Sequence, residues 1–186
     1  PYSLFMDIYA AMGRMHMRGF GTTQQQFAAV AAKNHGHSAH NPLAQYREAI
    51  SVEQVLAAPP ISYPLTLPMC SPVSDGAAAA IVCNESGLKC LQGDARRAVR
   101  VLACVLQTGS ERASNDLENH LVRKAAHRLY EQSGVSPQDV GVAEVHDATA
   151  IGEVLQSELL GLVPMGHGGP AAERGETRLG GRIPIN

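Results

Sequence analysis

The chain opens on apolar residues at helical spacing. In "YSLFMDIYAAMGRMHMRGF" the residues Leu4, Phe5, Ile8, Met12 and Met15 recur near a period of 3.6. That spacing predicts a helix with this face inward, ended by Gly19 and Gly21. "TTQQQFAAVAAKNHGH" follows, with Thr22 as N-cap and Gln25 three residues on. This is the arrangement of a capping box, leading into a helix that carries Phe27, Val30 and Ala31 to near Gly36. A second box, Ser51 with Gln54, starts a short helix closed by Pro59 and Pro60. "ISYPLTLPMCSPVSDG" is Pro-rich and predicts an irregular loop that crosses a surface or lines a cleft.

From Ala77 the period changes. "AAAAIVC" and "AVRVLACVLQT" are nearly continuous apolar runs, the pattern of strands buried on both faces. Residues 115–132 return to helical spacing, with Leu117, Leu121, Ala125 and Leu129 on one side. Ser136 before Pro137 is helix-start chemistry at a turn. "GVAEV" predicts a third strand, residues 148–160 a helix with Ile151, Val154, Leu155 and Leu159 inward, and the closing "GGRIPIN" a fourth strand. The order β, β, α, β, α, β predicts an α/β sheet with parallel crossovers. In such sheets chemistry collects at the carboxyl ends of the strands. His146 stands at such an end, and Asp147, just before Ala148, is expected to cap the following helix.

Composition acts mainly by exclusion. The 186 residues suffice for one sizeable core, or for one domain and part of another. The chain is 45% hydrophobic and 17% charged with net charge −2, and no basic block supports nucleic-acid binding. No apolar run approaches a membrane span, and no signal-peptide pattern is visible. Cys70, Cys83, Cys90 and Cys104 show neither CxxC nor zinc spacing and read as reduced, mostly buried thiols of a cytoplasmic protein. A start at Pro1 and a stop inside an apolar run suggest a piece of a longer protein.

Several side chains invite functional readings. His35, His37 and His40 lack the carboxylate or cysteine partners of a metal site and suggest a polar loop facing cofactor or another subunit. Arg14, Arg18 and Lys33 are candidates to steer a phosphate, with solvated charge as the default. Met6, Met12, Met15 and Met17 suggest a core helix, with an adaptable acyl pocket as the alternative. "GHGG" around His167 and "GETRLGG" read as flexible loop.

Four stretches resemble the thiolase superfamily, and within it the sterol-carrier-protein x and lipid-transfer-protein branch. "TTQQQFAAVAAKNHGHSAHNPLAQYR" is similar to that branch's lysine-asparagine-histidine and asparagine-proline segment. "PLTLPMCSPVSDGAAAAIV" resembles the loop into the last strand of the first thiolase half. "AEVHDATAIGEVLQSELLGL" resembles the HD-C-F segment that replaces NEAF of ordinary thiolases. "GGRIPIN" resembles the lead-in to the stretch before Gly-His-Pro. The resemblance implies a partial thiolase-like α/β fold. Residues 1–75 would be a helical loop region lining a coenzyme A cleft, residues 76–97 the last strand of the first half with a linker, and residues 98–186 a truncated second half.

The resemblance also implies roles. His146 aligns with the HD position, whose side chain helps form an oxyanion hole at the thioester. Ser71 aligns with a serine that contacts the pantetheine arm. Thr149 stands where the family carries an aromatic residue beside the acyl group, which implies a wider or wetter pocket, and Ala148 replaces the branch's usual Cys. The nucleophilic Cys, the Gly-His-Pro histidine and the Cys-x-Gly-Gly cysteine are not in this chain, so these 186 residues alone are expected to show no thiolase turnover.

The implied activity is acyl transfer on acyl- or 3-oxoacyl-coenzyme A thioesters. The alternatives are a retro-aldol lyase on a bulky acyl chain, working with a small OB-fold partner, and a non-catalytic acyl or sterol binding subunit. No permanently bound cofactor is expected, coenzyme A thioester being substrate, and a homodimer is expected.

Overall fold

The computed structural model describes residues 3–90 and 95–186, the side chain of Ala95 excepted. Pro1, Tyr2 at the head of the first predicted helix, and residues 91–94 of the predicted linker lie outside the described residues. Helix α1 (Leu4–Phe20) ends at Gly21, whose φ of 76° is the left-handed cap that glycine adopts without strain. Helix α2 (Gln24–Ser38) starts at Thr23, one residue later than the sequence suggested. The Thr23 side chain accepts from the Gln26 amide while the Gln26 side chain accepts from the Thr23 amide. Thr22 is instead buried and bonded to His16. Helix α3 (Val52–Ala57) has the expected Ser51–Gln54 box.

Most of the core forms around α2 and the later helix α6 (Ala150–Leu159). Phe27, Val30, Val55, Leu65, Met69, Ile151, Val154 and Leu159 are buried together. α1 turns a different side inward from the one its large residues predict. Ala10, Gly13 and His16 are buried, whereas Leu4, Phe5 and Ile8 are exposed. Small residues let α1 approach closely, so that a Cβ on Gly13 would collide with the Ile151 side chain.

The predicted loop at residues 60–69 contains a short antiparallel pair, β1 (Pro60–Ser62) with β2 (Leu65–Thr66). α4 (Glu85–Cys90) follows later and buries none of its side chains. α5 (Leu121–Ser133) begins six residues later than the periodicity suggested. There Asp116 accepts from the Asn119 backbone and side-chain amides, and such short polar side chains compete with helix for backbone groups. "GHGG" is not loose loop: it opens helix α7 (Gly168–Glu173), with Gly168, Gly169, Ala171 and Ala172 buried.

Of the four predicted strands, the last two meet. Ala143 and Ile185 form a parallel bridge across the α6 crossover, with Ala143 N–H donating to Pro184 O at 3.0 Å and Asn186 N–H to Ala143 O at 3.1 Å. Residues 77–83 and 98–108 form no ladder among the described residues, and most of their apolar side chains stand in solvent, Val82 at 86% and Leu106 at 87%. An apolar run states which residues a strand would bury, but the ladder itself needs a neighbour. Cys83, Cys90 and Cys104 are exposed and Cys70 half-buried, so the expectation of mostly buried thiols fails for the same reason. The architecture is mixed helix and strand, and among the described residues no helix is long and apolar enough to cross a membrane.

Candidate functional site

An open cleft of about 530 Å³ lies between the C-terminal half of α2, the loop after β2 and the paired segments that carry Glu144, Asp147 and Asn186. Local structure explains how these meet. Ser71 N–H donates to Ala148 O at 3.0 Å, and Cys70 bridges Thr149 in antiparallel sense, so the loop is tied to the start of α6. Ser71 therefore lines the cleft together with Asp147.

The other two predicted site residues sit elsewhere. Thr149 is 1% exposed and caps α6, its hydroxyl accepting from Gly152 N–H at 3.3 Å. It performs the capping that the sequence assigned to Asp147, and it does not line the cleft. His146 is exposed, outside the cleft wall, and its backbone carbonyl accepts from the Gln156 side chain.

Asp147 turns instead toward α2. Its Oδ2 accepts from Asn34 Nδ2 at 3.0 Å, and the same Nδ2 donates to Glu153 Oε2 at 2.8 Å. Glu153 Oε1 pairs with Lys33 Nζ at 2.8 Å, and Lys33 also donates to Ile185 O at 2.5 Å. Lys33 is 3% and Glu153 2% exposed, so Lys33 is no solvated phosphate-steering charge. Burial pushes the Glu153 carboxyl above its ordinary range against the pull of Lys33 and Asn34. Burial likewise raises Asp147, opposed by the Asn186 side chain, Lys33 and His146. Asn34 Oδ1 is buried with no partner. One ammonium thus serves two carboxylates, and only Asp147 of the pair lines the cleft.

This cluster is what reading the sequence alone missed. The available signal was Lys33 on the buried side of α2 and Glu153 between Ile151 and Val154, since a charge inside an apolar stripe must find a buried partner.

The histidines resolve individually. His37 Nδ1 lies 2.6 Å from Asn186 O, and its Nε2 accepts from Leu179 N–H at 3.1 Å. A backbone N–H can only donate, so Nε2 is unprotonated and Nδ1 carries the proton. Burial lowers the His37 pKa below 6.5, helped by Lys33 and opposed by the bond to Asn186. The folded state therefore binds fewer protons than the unfolded chain, and the contribution of His37 to stability is present above pH 6.5 and lost as pH falls through its folded value. In an NMR titration His37 is expected to titrate below 6.5, with the Leu179 amide losing exchange protection as it protonates. Titration at or above that value would contradict this assignment.

His35 stacks on Tyr46 with ring centroids 5.8 Å apart. No group of three or more His, Cys, Asp or Glu among the described residues could hold a metal ion. Cys70 lines the cleft, but burial pushes its thiol up to about 11, which keeps it protonated at neutral pH. A second cavity of about 210 Å³ is lined by Met12, Met15, Phe20, Leu117, His120 and Leu155. Two of the four methionines singled out by sequence thus border a small apolar space.

Residues 105–186 match the thiolase C-terminal domain-like family. Sterol carrier protein 2 of Oryctolagus cuniculus is 37% identical over 188 residues, covering 97% of this chain and 34% of that protein. The benzoylsuccinyl-CoA thiolase subunit BbsB of Thauera aromatica is 34% identical, covering 96% of this chain and 46% of that one. Among solved structures, a chain of the Ltp2-ChsH2(DUF35) aldolase superposes with a TM-score of 0.78 at 25% identity, covering 95% of this chain and 48% of that chain. The chain spans between a third and a half of the length of these relatives.

Proposed function

Since the chain belongs to the thiolase superfamily, alongside the sterol-carrier and lipid-transfer proteins, we propose that the protein it represents is an acyltransferase acting on acyl- and 3-oxoacyl-coenzyme A thioesters. The observation that carries this reading is the cleft. It is large enough for an extended ligand, its rim holds Ser71, and its floor holds a buried polar cluster. Ser71 would meet an amide of the pantetheine arm. An oxyanion-side role for His146 requires its ring to turn from solvent toward the thioester, a rotation open to an exposed side chain. Thr149 would act indirectly, by fixing the start of α6 beneath Asp147.

Among the described residues no thiol is poised as nucleophile in the cleft, since burial keeps the Cys70 thiol protonated. Transfer therefore calls on a cysteine outside this chain. The test is the intact mass of the full-length protein after incubation with acetyl-coenzyme A, followed by peptide mapping. An acetyl group on a cysteine outside these residues is the expected result. Binding without any adduct would reject acyl transfer.

A second reading, a lyase that cleaves 3-hydroxyacyl thioesters, draws on the cleft carboxyl of Asp147 and on the neighbour named as an aldolase. Relatives named as a thiolase subunit and as an aldolase with a DUF35 component support association with a second protein. We assign the small OB-fold partner, and a homodimer of the thiolase-like chain, to the same proposal.

A further inference from the structure

We propose that Asp147 is the proton-exchanging residue of the cleft, taking the hydroxyl proton of a 3-hydroxyacyl thioester as its Cα–Cβ bond breaks. This rests on the second reading above, a lyase acting on 3-hydroxyacyl thioesters in this cleft.

Position and company set Asp147 apart from its neighbours. Lys33 and Asn34 of α2 and Glu153 of α6 face it from below, Asn186 flanks it, and His146 adjoins it in the chain. Glu144, His35, His37 and Ser71 also line the cleft. Glu153 is sealed against Lys33 and cannot meet a ligand. Both nitrogens of His37 are held by backbone groups. Glu144 stands in solvent, where water competes for its oxygens.

Among the described residues Asp147 alone combines a half-buried carboxyl, a cleft-facing position and a shared amide donor that ties it to a second carboxylate. With one ammonium for two carboxylates, a proton arriving at Asp147 relieves charge in the cluster, which favours proton exchange there.

The step balances without an added oxidant or reductant. The Asp147 carboxylate accepts the hydroxyl proton, and the O–H electron pair becomes the C=O bond of the departing carbonyl product. The Cα–Cβ bond breaks, its electron pair forming the thioester enolate. The Asp147 carboxyl then returns its proton to Cα, leaving a shortened acyl thioester and the carboxylate restored.

The test uses the full-length protein with a 3-hydroxyacyl-coenzyme A. Asp147→Asn is expected to lower kcat by about 10²- to 10⁴-fold, the span of general acid–base catalysis, and to abolish the acidic limb of the pH profile while thioester binding persists. Asp147→Glu should restore part of the rate. Asn34→Ser removes a donor to the carboxylate and should move the acidic limb to higher pH with binding retained. A merely structural role would leave that limb where it is. Wild-type cleavage combined with an unchanged kcat and limb in Asp147→Asn would overturn this proposal alone. Thioester binding with no wild-type cleavage would overturn it and leave the acyl-transfer reading standing, whereas failure to bind any thioester would overturn both.

Discussion

Replacing Lys33 by methionine is expected to destabilise the protein by about 3–5 kcal/mol, the usual cost of breaking a buried ion pair from one side. The substitution preserves most of the side-chain volume, so packing around Phe27 and Val30 changes little. What it removes is the ammonium 2.8 Å from Glu153 and the donor to Ile185 O. Glu153, 2% exposed, is then left with Asn34 as its remaining partner.

The double variant Lys33→Met/Glu153→Leu is expected to recover much of the loss, because neither charge then pays for desolvation. Urea unfolding of the wild type and the two variants checks both statements. A single variant within about 1 kcal/mol of wild type would mean that water reaches Glu153 and that the cluster is not dry. This matters for the site, since Lys33 also holds the segment ending in Asn186 against α2.

Glu158→Leu is the second change with a large expected effect, about 2–6 kcal/mol, because two buried groups each lose a hydrogen-bond partner at about 1–3 kcal/mol apiece. Glu158 is buried at the junction of three helices. Its Oε2 lies 2.9 Å from His16 Nε2 on α1, and its Oε1 accepts from Gly168 N–H of α7 at 2.7 Å. His16 Nδ1 continues the chain to the Thr22 hydroxyl at 2.8 Å. Leucine would strand the imidazole and the Gly168 N–H together, each a buried group without its partner.

Glu158→Gln keeps acceptor capacity for one of the two contacts and should cost less. A double-mutant cycle with His16→Leu separates the pair's coupling from packing, and additive losses would show that the two groups do not interact. Gly168 fits this arrangement because a Cβ there would come within 2.9 Å of Glu158 Oε1 and of Val154 O. Though these groups resemble a hydroxyl–imidazole–carboxylate relay, Thr22, His16 and Glu158 are all buried and bind helices together.

Capping chemistry and helical periodicity were legible in the sequence. The Ser51–Gln54 box, the Gly21 terminator and the inward face of α6 appear where their residues placed them. The parallel meeting of the last two predicted strands across α6 also follows from their apolar patterning and order. The inward face of α1 was not legible, because close approach through Ala10 and Gly13 outweighs the larger area offered by Phe5 and Ile8. Residues 77–83 and 98–108 carry strand-like composition, yet β propensity is a preference for a half-buried neighbour, and no strand pairs with them among the described residues.

For the site, resemblance implied a cleft contact for Ser71, which lines the cleft with Asp147, and an oxyanion role for His146, whose side chain is exposed outside the cleft wall. The orientation of Asp147 depends on Asn34 and Asn186, which lie 113 and 39 residues away along the chain and which no local pattern connects to it.

The most direct test of the account is hydrogen–deuterium exchange of the full-length protein with and without a saturating coenzyme A thioester. The account expects added protection across the C-terminal half of α2, at residues 70–72 and at residues 142–147, where the cleft walls lie. Binding that leaves these segments unchanged and protects others would contradict it, and would place the thioester away from Asp147.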